Sequence, residues 1–338
     1  MTGSPDVIVI GAGVLGLASA AEMAARGLSV VVVDPGGGNA SSIAAGMIAP
    51  AMESALEDLP PRVVAVLQAA RDLWPDFAAR HGLDLIQDGA DWRGRGAEAL
   101  RRRLERNGFV VEARPDGFRT PEDARIDAGR ALQELGRAVT VIAGSARRTS
   151  RVERHWTVRL DGDRELHAPH LVVATGAAGA IEGLPVDVVR LIEGVIPIRG
   201  QLAHVHGPGP AIPTRTPHGY VVPVEGGVIV GATMEHGRRD LQPEDAAARR
   251  QVGQVFDALG LPAGAASPRV GVRGAFADGL PAVGEIDGVI VALGPRRNGW
   301  LLAPLVAGVV ADAVRATPPG PQAASLRPDR PGLSAPAE

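Results

Sequence analysis

The chain contains no cysteine. Disulfides, thiolate metal sites, thiol nucleophiles and cysteinyl-linked cofactors are therefore excluded. It contains no lysine either, so all 35 basic residues are arginine. Base composition favouring Ala, Gly and Arg accounts for this, and it removes the pyridoxal-phosphate Schiff base and the Walker-type phosphate loop, which both need a lysine amine. A net charge of -3 gives no general reason to expect nucleic acid or membrane as a partner. The N-terminus lacks the basic region and cleavage site of a signal peptide, and the apolar segment 299–314 is short for a bilayer span and carries Asp312. A cytoplasmic location is the expectation. His204 and His206 have no third ligand and read as a solvated strand edge; no metal is expected. The run Arg101 to Arg103, between Glu98 and Glu105, reads as a solvated helix face.

What is present begins with "DVIVIGAGVLGLASAAEMAARGLSVVVVD". An apolar strand over 7–10 runs into Gly11, Gly13 and Gly16, a helix follows to about Arg26, and a second apolar strand ends at Asp34. The glycines permit a sharp turn, bring backbone N–H groups against a pyrophosphate and let helix pack closely on strand. Asp34 stands where a carboxylate can accept the hydroxyls of an adenosine ribose. No arginine directly follows it, so a 2′-phosphate would meet an acid and NADP is disfavoured. NAD and FAD both remain open from these residues.

Further segments narrow the choice. "NASSIAAGMIAP" (39–50) has small and hydroxyl side chains about Gly46, suited to backbone lying against a ligand, and "HLVVATGAAG" (170–179) is a buried strand closing in Thr175 and Gly176. With "GYVVPVEGGVIVGATMEHG" (219–237), "GVRGAFADGLPAVG" (271–284) and "VALGPRRNGWLLAPLVAGVVADAV" (291–314), these segments resemble the glycine oxidases of the D-amino-acid oxidase flavoprotein superfamily. The resemblance covers residues 5 to 315 and is weak between 52 and 120. It implies FAD, with Val14, Leu15, Asp34 and Pro35 near the adenosine end, Ser41 and Ser42 near the diphosphate, and Ala45, Gly46 and Met47 beside the isoalloxazine. It also brings the backbone of Ala146 to the adenine and closes Pro295, Arg296, Arg297, Asn298, Gly299, Trp300 and Leu301 over the pyrimidine edge of the flavin.

The residues themselves say more about the substrate end. Segments 219–224 and 227–234 with their Gly-rich connection read as a β-hairpin carrying the single tyrosine, Tyr220. The resemblance places Tyr220 at the substrate carboxylate. Arg273 sits in an otherwise apolar, glycine-rich strand, where a guanidinium without an anion would be costly to bury and can bind carboxylate through a planar fork. Arg297 matches the arginine that the family places next to flavin and substrate, whereas Arg296 falls where an aromatic residue is common. A helix N-terminus near Asn298 and Gly299 aims N–H groups and a positive dipole end at the pyrimidine edge. Departures from the family pattern are Asp34 for Glu, Gly274 for Pro and Pro295 for His.

The expected fold is α/β: a discontinuous Rossmann-like FAD-binding domain (1–82, 122–183 and 274–316) and a smaller α+β substrate domain with an antiparallel sheet (83–121 and 184–273). The tail 317–338, rich in Pro and small residues, is expected to be flexible. The expected function is FAD-dependent oxidative deamination of glycine or another small amino acid or secondary amine. Oxygen is the acceptor, the flavin is bound non-covalently and no acid–base residue is required. The resemblance further implies supply of the imine for thiamine thiazole synthesis. The alternatives are a D-amino-acid or secondary-amine dehydrogenase passing electrons elsewhere, and a flavin-binding protein without turnover. Homo-oligomer formation is left open.

Overall fold

The computed structural model describes residues 4–262 and 264–333. Its first sheet has six strands in the order Ala282–Ile286, Val289–Leu293, His170–Val173, Val7–Ile10, Val30–Asp34 and Thr140–Ala143. All neighbours run parallel except the first two. Val7–Ile10 and Val289–Leu293 are buried at every position, as uninterrupted apolar runs demand of strands covered on both faces. The helices Val14–Ala25 and Gly299–Val314 pack together on one face. On the other lie the helix Val186–Glu193 and a three-stranded antiparallel sheet, Ala146–Val152, His155–Leu160 and Glu165–Ala168. The Rossmann-like reading therefore holds, and the helix begins one residue after Gly13 as the glycine turn requires.

The second large sheet is antiparallel apart from one pair. Its long strand Ile196–His206 pairs on one side with Gly227–Gly231 and on the other with Ala266–Ala275. The hairpin Gly219–Val224 with Gly227–Gly231 forms as its alternation and glycines indicate. The helix Asp245–Leu259 covers one face with Val252, Val255 and Phe256 against Val205, Val221 and Val230. His204 is paired on both sides, with Ile229 and Ser267, and so does not lie on a sheet edge, whereas His206, exposed at the end of the strand, is paired only with Gly227. Their rings meet 4.6 Å apart near the end of an interior strand, and among the described residues no group of three or more acidic or histidine side chains could hold a metal. Arg101 and Arg102 are exposed or nearly so and pair with Glu98, as a solvated face should.

A further expectation is corrected. Residues 317–333 are not a loose tail: they form a turn of 3-10 helix, Pro321–Leu326, and bury Ala323, Leu326 and Leu333. Arg330 closes the segment by pairing with Asp278 at 2.8 Å and donating to the carbonyl oxygens of Leu280, Pro281 and Leu326. Three apolar anchors and one satisfied guanidinium are enough to order a proline-rich segment whose composition alone argues otherwise. Residues 334–338 lie outside the described part. No helix among the described residues is long and apolar enough to cross a membrane.

Candidate functional site

The two large sheets meet along a cleft made of three adjoining chambers. The first, about 380 Å³, lies at the C-terminal ends of the parallel strands and is lined by Gly11, Gly13, Asp34, Pro35, Ser41, Ala146 and Gly176 among others. The second, about 110 Å³, shares Gly13, Ser41 and Gly176 with it and adds Val14, Leu15, Pro295, Arg296, Gly299 and Trp300. The third, about 310 Å³, is bounded by Ala45, Gly46, Met47, Tyr220, Arg273, Arg297 and Asn298. An open parallel sheet offers its ligand groove at this place, where strand order reverses.

The cleft fits a long, flat dinucleotide. Gly11 has φ +110°, and a Cβ there would collide with the Ala174 carbonyl; Gly46 has φ +70°, and a Cβ there would collide with the Ile126 carbonyl. Both therefore let two backbone segments approach closely where they border the groove. Asp34 accepts from the N–H of Ala12 at 2.7 Å and of Gly36 at 2.8 Å, which fixes its carboxylate at the end of the strand. Ser41 accepts from the Val14 N–H at 3.0 Å, covering the first donor of that helix. Asn298 heads the helix Gly299–Val314, whose first turn carries no acidic residue and no side-chain cap. Its leading N–H groups thus remain available to an electron-rich ligand edge.

Most of the residues singled out from the sequence converge here, with four differences. Val14 and Leu15 line the second chamber and not the first, because they form the first turn of the helix beyond the glycine loop. Ser42 faces none of the three chambers and is engaged with Asn39 in a local turn. Gly16 serves packing, since a Cβ would meet the carbonyl of Gly11. Leu301 is buried, and its carbonyl accepts from the Trp74 indole at 3.1 Å.

At the third chamber the charges sort themselves. Glu53, 6% exposed, receives Arg215 at 2.5 Å on one oxygen and Arg297 on the other. Burial alone would push the Glu53 carboxyl up, but the two guanidinium groups hold it below the ordinary carboxylate range. Glu57 pairs with Arg296 at 2.6 Å and with Arg297 at 3.1 Å. Arg215 also lies over the Tyr220 ring, 5.7 Å from its centroid. Arg273 is different. Among the described residues it has no carboxylate within ion-pair distance, and burial with the neighbouring charges of Arg297 and Arg296 pushes its pKa down, with only partial relief from Tyr220 and Glu53. It is the unneutralised cation of the chamber.

The sequence offered no signal for Glu53, Glu57 or Arg215, which belong to segments that read as ordinary polar or loop positions. Nor did it single out Gly200 and Gly231. A Cβ on Gly200 would overlap the Arg273 guanidinium, and one on Gly231 would overlap the Tyr220 hydroxyl. Each glycine therefore makes room for the facing side chain across a strand pair. Gly200→Ala is expected to tilt the Arg273 fork and slow anaerobic flavin reduction about 10-fold, the equivalent of one weakened hydrogen bond, with the flavin spectrum unchanged. Unaltered reduction in stopped flow would show that the close approach is not needed.

Behind the chamber, Asp123 is 1% exposed and accepts from the Thr120 hydroxyl at 2.7 Å and from the N–H groups of Ala51 and Met52 at 3.2 and 3.3 Å. It thereby ties down the helix Pro50–Leu56, which carries Glu53. Burial pushes its carboxyl up to about 7, against hydrogen bonds and an Arg215 charge that favour the anion. A folded-state pKa raised in this way stabilises the protein fully below the ordinary carboxylate range and loses that contribution as pH rises toward 7. Asp123→Asn should remove this part of the slope, at most about 1.4 kcal/mol per pH unit. Urea unfolding from pH 4.5 to 7.5 measures it, and equal slopes in both proteins would sink the assignment.

Comparison with known proteins agrees with this geometry. The family model described as FAD dependent oxidoreductase matches residues 6–313. A glycine oxidase from Geobacillus kaustophilus is 30% identical over 93% of this chain and 94% of that one. A bifunctional protein of tRNA 5-methylaminomethyl-2-thiouridine biosynthesis from Caulobacter sp. is also 30% identical, over 95% of this chain but only 57% of its own length. In structure, the Geobacillus glycine oxidase superimposes with a TM-score of 0.80 at 24% identity, covering 96% of this chain and 98% of that one. Iminodiacetate oxidase from Chelativorans sp. does so with 0.79 at 20%, covering 95% and 98%. The chain is a glycine oxidase-like member of the DAO family of FAD-dependent oxidoreductases, an enzyme with FAD as its cofactor.

Proposed function

We propose that the protein catalyses oxidative deamination of glycine or another small amino acid or secondary amine, with oxygen as electron acceptor. The observation that carries this is the Arg273 guanidinium, partly buried beside the Tyr220 hydroxyl with no ion-paired acid among the described residues. Arg273 presents two parallel donors to an α-carboxylate. Burial pushes the Tyr220 phenol up, so it stays protonated and donates a third hydrogen bond. With the carboxylate fixed at one end, the substrate Cα is turned toward Gly46 and Met47, where the flavin ring would lie. FAD bound there supplies the hydride acceptor. No acid–base side chain is needed if the amine binds neutral, and water converts the resulting imine to the oxo acid and ammonia, or a primary amine where the substrate is a secondary amine. Arg297 borders the chamber, but its charge is shared between Glu53 and Glu57, which makes it a wall and secondary contact.

Non-covalent FAD, a cytoplasmic location and imine supply for the thiazole of thiamine are parts of the same reading, which the glycine oxidase likeness supports. The domain division proposed from the sequence places the cleft between an FAD unit and a substrate unit, and the two sheets give it a physical basis. The test has two arms. Acid precipitation should release the yellow colour into the supernatant. Glycine, sarcosine and D-alanine should bleach the flavin anaerobically, and the best of them should drive oxygen uptake with hydrogen peroxide formation. Bleaching without oxygen uptake, restored by an artificial acceptor, would assign a dehydrogenase.

A further inference from the structure

The adenosine-end chamber has one cationic side chain in its lining, and it does not come from the nucleotide-binding sheet. Arg239 lies between the strand Glu235–His236 and the helix Asp245–Leu259, and its guanidinium donates to the Ala177 carbonyl at the rim of the chamber. We propose that Arg239 is an FAD-binding residue that clasps the diphosphate from the substrate side of the cleft.

The charge balance of the chamber points that way. A flavin–adenine diphosphate brings two negative charges, yet the chain has no lysine, and the remaining side chains lining this chamber are neutral except Asp34, an acid. The helix Val14–Ala25 contributes only the partial charge of its N-terminus, roughly half a unit. Arg239 is the available full countercharge.

Its neighbours leave it free for that task. Arg199, 1% exposed on the interior strand Ile196–His206, holds Glu235 at 2.5 Å, Asp240 at 3.2 Å and Glu244 at 3.7 Å. Arg238 takes the other oxygen of Asp240 and shares the same oxygen of Glu244, each at 2.9 Å. Three acids are thus shared by two arginines, and among the described residues Arg239 has no carboxylate partner. Its bond to Ala177 occupies one of five donors. The buried Arg199 meanwhile anchors the segment, so Arg239 is presented from a fixed base. Leu241, 56% exposed, borders the same chamber and offers apolar cover to the adenosine.

Release of FAD from the holoenzyme tests this without reference to any substrate, by the rise in flavin fluorescence on dilution. Arg239→Ala should release FAD about 10-fold faster than wild type, and Arg239→Lys within about 2-fold, because a phosphate accepts a point charge. The difference should shrink at high salt. A wild-type rate in Arg239→Ala overturns the proposal. So does equal acceleration in the alanine and lysine variants, or a difference indifferent to salt, since either would assign the side chain to packing. Arg239→Gln, which keeps bulk and a donor for Ala177, replaces the alanine variant if that fails to fold, and should match its rate.

Discussion

Replacing Arg273 with alanine is expected to lower the efficiency of flavin reduction by roughly 30- to 1000-fold, the equivalent of about 2–4 kcal/mol for a charge-assisted bidentate contact in a water-poor pocket. Arg273→Lys should recover little, because an ammonium cannot reproduce the fork that Gly200 makes room for. The flavin spectrum should stay nearly native, since Arg273 is proposed to hold the substrate and not FAD. Anaerobic stopped-flow reduction by glycine, sarcosine and D-alanine reads the loss directly. If the alanine variant reduces as fast as wild type with FAD bound, the carboxylate is held elsewhere, and Arg297 becomes the leading alternative.

A second large effect concerns stability and affinity together. Glu53→Ala leaves Arg215 and Arg297 buried or nearly so without their shared carboxylate, which should cost about 3–5 kcal/mol of folding stability. Glu53→Gln keeps the shape and some hydrogen bonds and should lose less. Because the folded-state pKa of Glu53 is depressed, its contribution is present above the ordinary carboxylate range and fades as pH falls through the folded value. The alanine variant should therefore show its deficit at neutral pH and approach wild type in acid, as followed by urea unfolding. The freed guanidinium groups should also attract simple anions, so acetate should inhibit the surviving enzyme more strongly. A variant with wild-type stability at pH 7 would show that the two arginines do not depend on Glu53.

These two residues mark how far the sequence could be read. Arg273 was visible because it interrupts an apolar, glycine-rich strand, and a single strand is enough to show that conflict. Glu53 was not. It sits in a short helix of mixed composition, and its partners lie 162 and 244 residues away, so nothing local distinguishes it from a solvated glutamate. The glycine turn, the flanking parallel strands and the Gly299 helix were legible for the opposite reason: their signals are periodic and close in sequence. The C-terminal segment misled because proline content speaks to local propensity, whereas its order comes from Arg330 reaching Asp278.

That docked segment has a consequence for self-association. The strand Ala282–Ile286 ends the six-stranded sheet, and an uncovered outer strand is a template on which another chain can add itself. Here Pro328 lies against Gly284, and the 3-10 turn packs beside the same strand. A proline has no amide hydrogen to give, so it can occupy the flank of a sheet without continuing the ladder. The C-terminal segment is thus a guard rail beside the outermost strand, and Pro328, the residue set against Gly284, has no amide hydrogen to offer a further strand.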